Sequence, residues 1–269
     1  MLTQPCPAYR LATAQIRAYR RDGYLILRRF WAAPAVAGLR QELETLAAGD
    51  AIAGHWDPAP PARNGIRRHP DVRNPHQVLP ACRDMLLDRR LHGVLRKLAG
   101  GDLLAAHSLY SFKPPSAGPP PDPDCIEEPL TLQVTPGPCV VAWTAVDVAL
   151  PENGGLQVIP GSHDRDPQPC PPDEVPMGDL LPLADEMPTV PLPLQPGDVL
   201  VFDGTLRHGC SLNRTRKMWR RSLICHYVPA SAEQVVPWFT TALDFAGGER
   251  ALAPQTTSPD AFRAFLEAL

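Results

Sequence analysis

The stretch at residues 199–227, VLVFDGTLRHGCSLNRTRKMWRRSLICHY, decides how the rest of the chain is read. It divides into an apolar strand, a turn carrying His208, a polar loop with Asn213, and a second strand opening on Arg220. Strand side chains alternate between faces, so Arg221 points outward if Arg220 points in. One imidazole and one guanidinium just inside the strands of a small barrel suit a metal ion at one point and an acid at another.

Upstream, a period of two begins near residue 103. The candidate strands are 103–113, 129–135, 138–148 and 156–159, followed by 199–202 and 220–228. Turn formers separate them: PGP at 136–138, ENGG at 152–155, PGS at 160–162 and PGD at 196–198. Many short strands so punctuated predict a mainly β chain, an antiparallel barrel with helices packed outside it. Before residue 103 the apolar spacing is helical. Thr13 is the expected cap of one helix, with Ile16 and Tyr19 inward and Gly23 as its stop, and 24–27 follows as a short strand. Pro34 opens a second helix bearing Val36, Leu39, Leu43 and Leu46; Asp88 opens a third, ended by Gly100. Residues 50–80 show no periodicity. A last amphipathic helix is expected after Ser258, its stripe of Phe262, Phe265, Leu266 and Leu269 explained by packing alone. The chain thus reads as one domain over 1–269. Its parts are a helical portion 1–102, a barrel core 103–230 with proline-rich loops 114–128 and 164–195, and a C-terminal extension 231–269.

Composition narrows the function classes. A net charge of -3 with no basic run argues against a nucleic-acid or anionic-membrane surface. No apolar segment approaches the roughly 18 residues of a membrane helix, and the first ten residues have no signal-peptide core. Seven cysteines without a CxxC pair suit a reducing compartment, so a cytoplasmic location is expected. The 34 prolines gather in loops rather than marking disorder.

Five blocks in order, RRDGYLILRRFW, LYSFKPP, VAWTAVDVALPENGGLQVIPGSH, PGDVLVFDGTLRHGCSLNRT and RRSLICHY, closely resemble the phytanoyl-CoA dioxygenase-like family of Fe(II)/2-oxoglutarate oxygenases. The resemblance implies a double-stranded β-helix, a jelly-roll barrel of cupin type. It implies His208 as the distal metal ligand, Arg220 as the residue gripping the far carboxylate of 2-oxoglutarate, and Trp143 as the aromatic beside that cosubstrate. Trp143 also reads as an ordinary core aromatic.

One part of the family pattern departs. The family's His-x-Asp aligns, counting back from PGPCVVAW, with Ile126 and Glu128; counting forward from KPP it aligns with Asp122 and Asp124. Neither register supplies a histidine. Isoleucine has no lone pair, and Glu128 is a methylene longer than aspartate. Cys125, Glu127 and His107 are further candidates, and a Glu127, Glu128 and His208 set would lean toward Mn or Mg. Three readings follow, in this order. The first is acid–base chemistry by Glu128 and His208, such as isomerisation, cyclisation or elimination, with no cofactor. The second is an Fe(II)/2-oxoglutarate hydroxylase with a reorganised site in which His208 and Glu128 hold the metal. The third is a non-catalytic scaffold paralogue. In the first two, the partner is a small molecule, apolar or carrier-bound, of specialised metabolism.

Overall fold

Helix α1 (Thr13–Asp22) buries Tyr19 and stops at Gly23, whose φ of 82° lets the chain turn into β1 (Tyr24–Leu27). Thr13 is the first helical residue and not the cap. Ala12 holds that place, with its N–H donating to Gln15 Oε1 at 2.9 Å. In this computed structural model the described residues are 9–58, 71–115, 134–135, 137, 139–164, 188–210, 212–235 and 241–254. Helix α2 (Ala33–Ala47) starts on Pro34 and buries Val36, Leu39, Leu43 and Leu46, as the spacing predicts. A two-residue strand β2 (Val72–Arg73) and a short helix α3 (Pro80–Leu86) fall where no periodicity was legible. Helix α4 (Arg89–Ala99) is capped by Asp88, which accepts from the N–H groups of Arg90 and Leu91.

The barrel strands are β3 (Leu103–Lys113), β4 (Val134–Thr135), β5 (Val140–Ala145), β6 (Leu156–Val158), β7 (Val190–Pro191), β8 (Val199–Asp203), β9 (His208–Cys210) and β10 (Arg220–Pro229). Four short strands follow: β11 (Gln234–Val235), β12 (Thr241–Leu243), β13 (Glu249–Ala251) and β14 (Ala253–Pro254). The large sheet runs β1-β8-β5-β10-β3-β12-β13 with β2 beside β3. Two small sheets, β7-β6-β9 and β14-β11-β4, complete the β structure. Strand β1, from the helical portion, and β12, from the extension, are therefore both woven into the main sheet. Most of the loops 114–128 and 164–195, and the helix expected after Ser258, lie outside the described residues.

Two apolar layers follow from strand alternation. One face of the large sheet, with Tyr110, Val140, Ala142, Val199, Val201, Leu223 and Tyr227, packs on the helices. The other face, with Leu104, Val141, Trp143, Leu200 and Phe202, meets Leu156, Val158 and Val235 of the small sheets and forms the barrel interior. Even-numbered side chains of β10 belong to the interior and odd-numbered ones to the helical side.

The turns use glycine where the backbone demands it. Gly197 has φ 89°, and a Cβ there would stand 2.5 Å from the Trp31 carbonyl oxygen. That turn also carries Asp198, only 1% exposed, which accepts from the Arg29 and Gln195 N–H groups and from Arg28 Nη1. It ties the end of β1 to the start of β8.

Candidate functional site

The site is built on the interior face at the two strands that flank residues 211–219. Strand β9 pairs with β6, placing His208 opposite Val158 and against the Phe202 ring, 4.5 Å between centroids. His208 Nδ1 lies 2.7 Å from the Leu206 carbonyl oxygen. A carbonyl only accepts, so Nδ1 carries the proton and Nε2 keeps its lone pair. This is the posture of a metal-ligating histidine oriented by its backbone. Burial pushes the His208 pKa down to about 4, with the Leu206 contact opposing in part, so the ring is neutral near pH 7.

Arg220 opens β10 and is 2% exposed. Its Nη1 donates to Ser222 Oγ at 2.8 Å, and its guanidinium carbon stands 5.7 Å from the Trp143 ring centre. Its buried Nε has no hydrogen-bond partner, and no carboxylate among the described residues pairs with it. Arg221, by contrast, turns to the outer side and pairs with Asp147 at 2.6 Å and with Glu44. A buried guanidinium costs several kcal/mol unless it is paired, so the incompletely used donor fork leaves a buried donor to which an anion could bind. Lys113, 8% exposed, is the direct cross-strand partner of Arg220, which sets two cations side by side on that face. Lys113 Nζ donates to Cys210 Sγ at 2.9 Å, joining β3 to β9 two residues beyond His208. The expected strand 103–113 ends where the observed one does, but its alternation gave no sign that Lys113 faces inward beside Arg220.

Asn213 (6% exposed) fixes the intervening loop. Its Nδ2 donates to the carbonyls of Lys113 and Met218, while its Oδ1 accepts from the Thr215 N–H and hydroxyl. Trp143 lies in the interior at 3% exposure, so it is a core aromatic and also a face for Arg220. His107, on the large sheet, looks into the interior that His208 borders from the small β7-β6-β9 sheet, and its Nδ1 is 3.2 Å from His226 Nδ1. Ile126, Glu128, Asp122, Asp124, Cys125 and Glu127 lie outside the described residues. Among the described residues, no three His, Cys, Asp or Glu side chains converge as a metal-holding group. A groove of about 760 Å³ between α2 and α3, lined by Glu42, Leu46, Ile52 and Leu79, is on the helical layer and contains none of these residues.

Three buried histidines and the half-buried His208 make stability depend on pH. Burial first, then the Arg83 charge, holds His76 at about 4; burial first, then His208, does the same for His226. His107 is held well below 6.5 by burial and then by His226. Between pH 6.5 and 4 the unfolded chain therefore binds protons that the folded chain refuses, and stability falls as pH falls. Each group held near 4 costs about 3 kcal/mol by pH 4. Urea unfolding at pH 7.5, 6 and 5 is expected to show a progressive loss; an unchanged midpoint over that range would contradict the burial of these rings.

Comparison with known proteins places the chain among relatives. The family model described as Phytanoyl-CoA dioxygenase (PhyH) matches residues 19–222. Ectoine dioxygenase of Stutzerimonas stutzeri (strain A1501) is 29% identical over 157 residues, 57% of this chain and 51% of that protein, so the chain spans about half of that relative's length. The non-heme alpha ketoglutarate dependent carbocyclase SnoK from nogalamycin biosynthesis superposes with a TM-score of 0.64 at 24% identity, covering 86% of this chain and 88% of the other. The epimerase SnoN, solved with Fe3+, alpha ketoglutarate and nogalamycin RO, gives 0.64 at 21%, covering 91% and 95%. Likeness at these identities shows a shared fold, the jelly-roll barrel. No helix among the described residues is long and apolar enough to cross a membrane.

Proposed function

The chain belongs to the phytanoyl-CoA dioxygenase family, and we propose that it is a small-molecule enzyme binding 2-oxoglutarate through Arg220 and using His208 as one ligand of Fe(II). The observation that carries this reading is Arg220: buried, held at Nη1 by Ser222, and with Nε left without a partner. A distal carboxylate of a 2-oxo acid would complete that fork, with Lys113 beside it and Trp143 walling the slot. His208 fits a metal through Nε2, since Nδ1 is committed to Leu206. When bound, Fe(II) with 2-oxoglutarate supplies oxidising power from dioxygen, coupled to release of succinate and carbon dioxide. The residues on this chain orient the acid, fix the imidazole tautomer and keep the Arg220 end dry. The reactions named for the two structural relatives, carbocyclisation and epimerisation, suggest ring-forming or stereochemical chemistry on a specialised metabolite.

The order of the first two readings is thus reversed from the one the sequence suggests. Acid–base chemistry by Glu128 and His208 remains the second reading, favoured by Ile126 in the slot where the family carries histidine. Calorimetric titration of the purified protein with 2-oxoglutarate, with and without Mn(II) in anaerobic buffer, separates the two. Saturable 2-oxoglutarate binding that strengthens with the metal is expected. Absence of binding, together with full turnover under chelator, would transfer the assignment to acid–base chemistry. Replacement of Ile126 by histidine is expected to raise metal affinity by about 10-fold or more, measured as retained Mn(II) after desalting.

A further inference from the structure

The interior face carries a second polar group that the cosubstrate reading does not use. His226 stands on β10 six residues beyond Arg220 and on the same face, so the two are roughly 20 Å apart along the strand. His226 is 7% exposed and His107 5%. Their Nδ1 atoms lie 3.2 Å apart, with ring centres 5.2 Å apart. Two imidazole nitrogens can share that contact only if one carries a proton and the other does not, so each ring fixes the tautomer of its neighbour.

This pairing depends on a bulge. His226 is registered on His107, whereas Tyr227 is registered on Ala105, so Ala106 is the extra residue in β3. Without it, alternation from Leu104 would turn His107 to the helical side. A bulge that re-aims one side chain beside a candidate site is a common functional device. On the β5 side His226 faces Val141, and His208 is near enough to act on its charge. Its Nδ1 is engaged by His107, and no further hydrogen bond to another described residue occupies its Nε2.

We propose that His226, with its tautomer fixed by His107, is a substrate-contacting residue that selects an uncharged hydroxyl or carbonyl group on the small molecule bound beyond His208. The pocket is then divided by charge. Its Arg220 end takes a carboxylate, and its His226 end takes a neutral polar group, because an imidazole already paired with His107 and flanked by Val141 offers one remaining hydrogen-bonding nitrogen in apolar surroundings. This rests on the proposed function above for the presence of a small molecule in the barrel interior, though not on metal binding.

The test is nitrogen NMR of the histidine rings in the full-length protein, using cyclohexanol, cyclohexanone and acetate as probes. Cyclohexanol or cyclohexanone is expected to shift the His226 resonances saturably, and acetate is expected not to. His226→Phe should weaken cyclohexanol binding about tenfold, and His226→Gln, which keeps a hydrogen-bonding group, should restore most of it. 2-Oxoglutarate affinity should be the same in all three proteins. Acetate acting as strongly as cyclohexanol, or His226 unmoved by every probe while 2-oxoglutarate binds, would overturn the inference. Failure of 2-oxoglutarate to bind, with His226 still responding to cyclohexanol, would sink the cosubstrate reading and leave this one standing.

Discussion

Arg220→Met is expected to abolish measurable 2-oxoglutarate binding while leaving the unliganded protein as stable as the parent or more so. The two effects have opposite signs because the guanidinium is buried before any ligand arrives. In the complex it would be half of a desolvated, charge-assisted pair, whose truncation costs about 2–5 kcal/mol, roughly thirtyfold to several thousandfold in Kd. In the unliganded protein its charge has no carboxylate partner among the described residues, and its Nε is unsatisfied. An apolar side chain of similar length removes that desolvation penalty, a change that is neutral or stabilising by about 1–4 kcal/mol where ion pairs have been so replaced. Loss of the Ser222 contact and of the Trp143 face offsets about 1–2 kcal/mol of that gain. Arg220→Lys is not expected to rescue binding, because an ammonium cannot present two parallel donors. Calorimetry and thermal unfolding read the two signs separately. A variant that loses several degrees of Tm would mean the guanidinium is a structural element and not a waiting anchor.

Asp198→Ala is expected to be the most damaging single change outside the apolar core, at about 2–4 kcal/mol. Its carboxylate is 2% exposed and accepts three hydrogen bonds at 2.7–2.9 Å, two of them from backbone N–H groups. The ion pair is the smaller part, since Arg28 is 53% exposed and its charge is screened by solvent. Arg28→Ala should therefore cost no more than about 1 kcal/mol. The heavier cost is the desolvated N–H groups of Arg29 and Gln195, left without an acceptor where β1 meets β8. Asp198→Asn keeps one oxygen acceptor and should recover part of the loss. For a chain of this size a 2–4 kcal/mol loss lowers Tm by roughly 4–16 °C. Equal effects from Arg28→Ala and Asp198→Ala would show that the ion pair, and not the backbone, is what the carboxylate serves.

Much of the barrel was legible because its signals are local. The strand at 103–113 was bounded correctly, and 220–228 fell one residue short of the observed end. One glycine in each of PGP, ENGG, PGS and PGD adopts the positive φ that its turn requires, at 137, 154, 161 and 197. Helix α3 escaped notice because seven residues give too few turns for a period to show. Strand β9 was hidden for a similar reason: three residues around a glycine carry no alternation, and its pairing with β6 is what makes it a strand.

The sequence by itself determined the order of strands and turns, the family to which its blocks belong, and the outward turn of Arg221 given an inward Arg220. All of these follow from neighbours within a few residues, where strand alternation and glycine conformations act. Only the tertiary structure decided that Lys113 stands beside Arg220, that Asp198 ties down β1 across 170 residues, and that His107 meets His226 across 119. Those pairings depend on strand register and on one inserted residue at Ala106. A single-residue slip reverses which face every later side chain occupies, and no local preference of the chain encodes it.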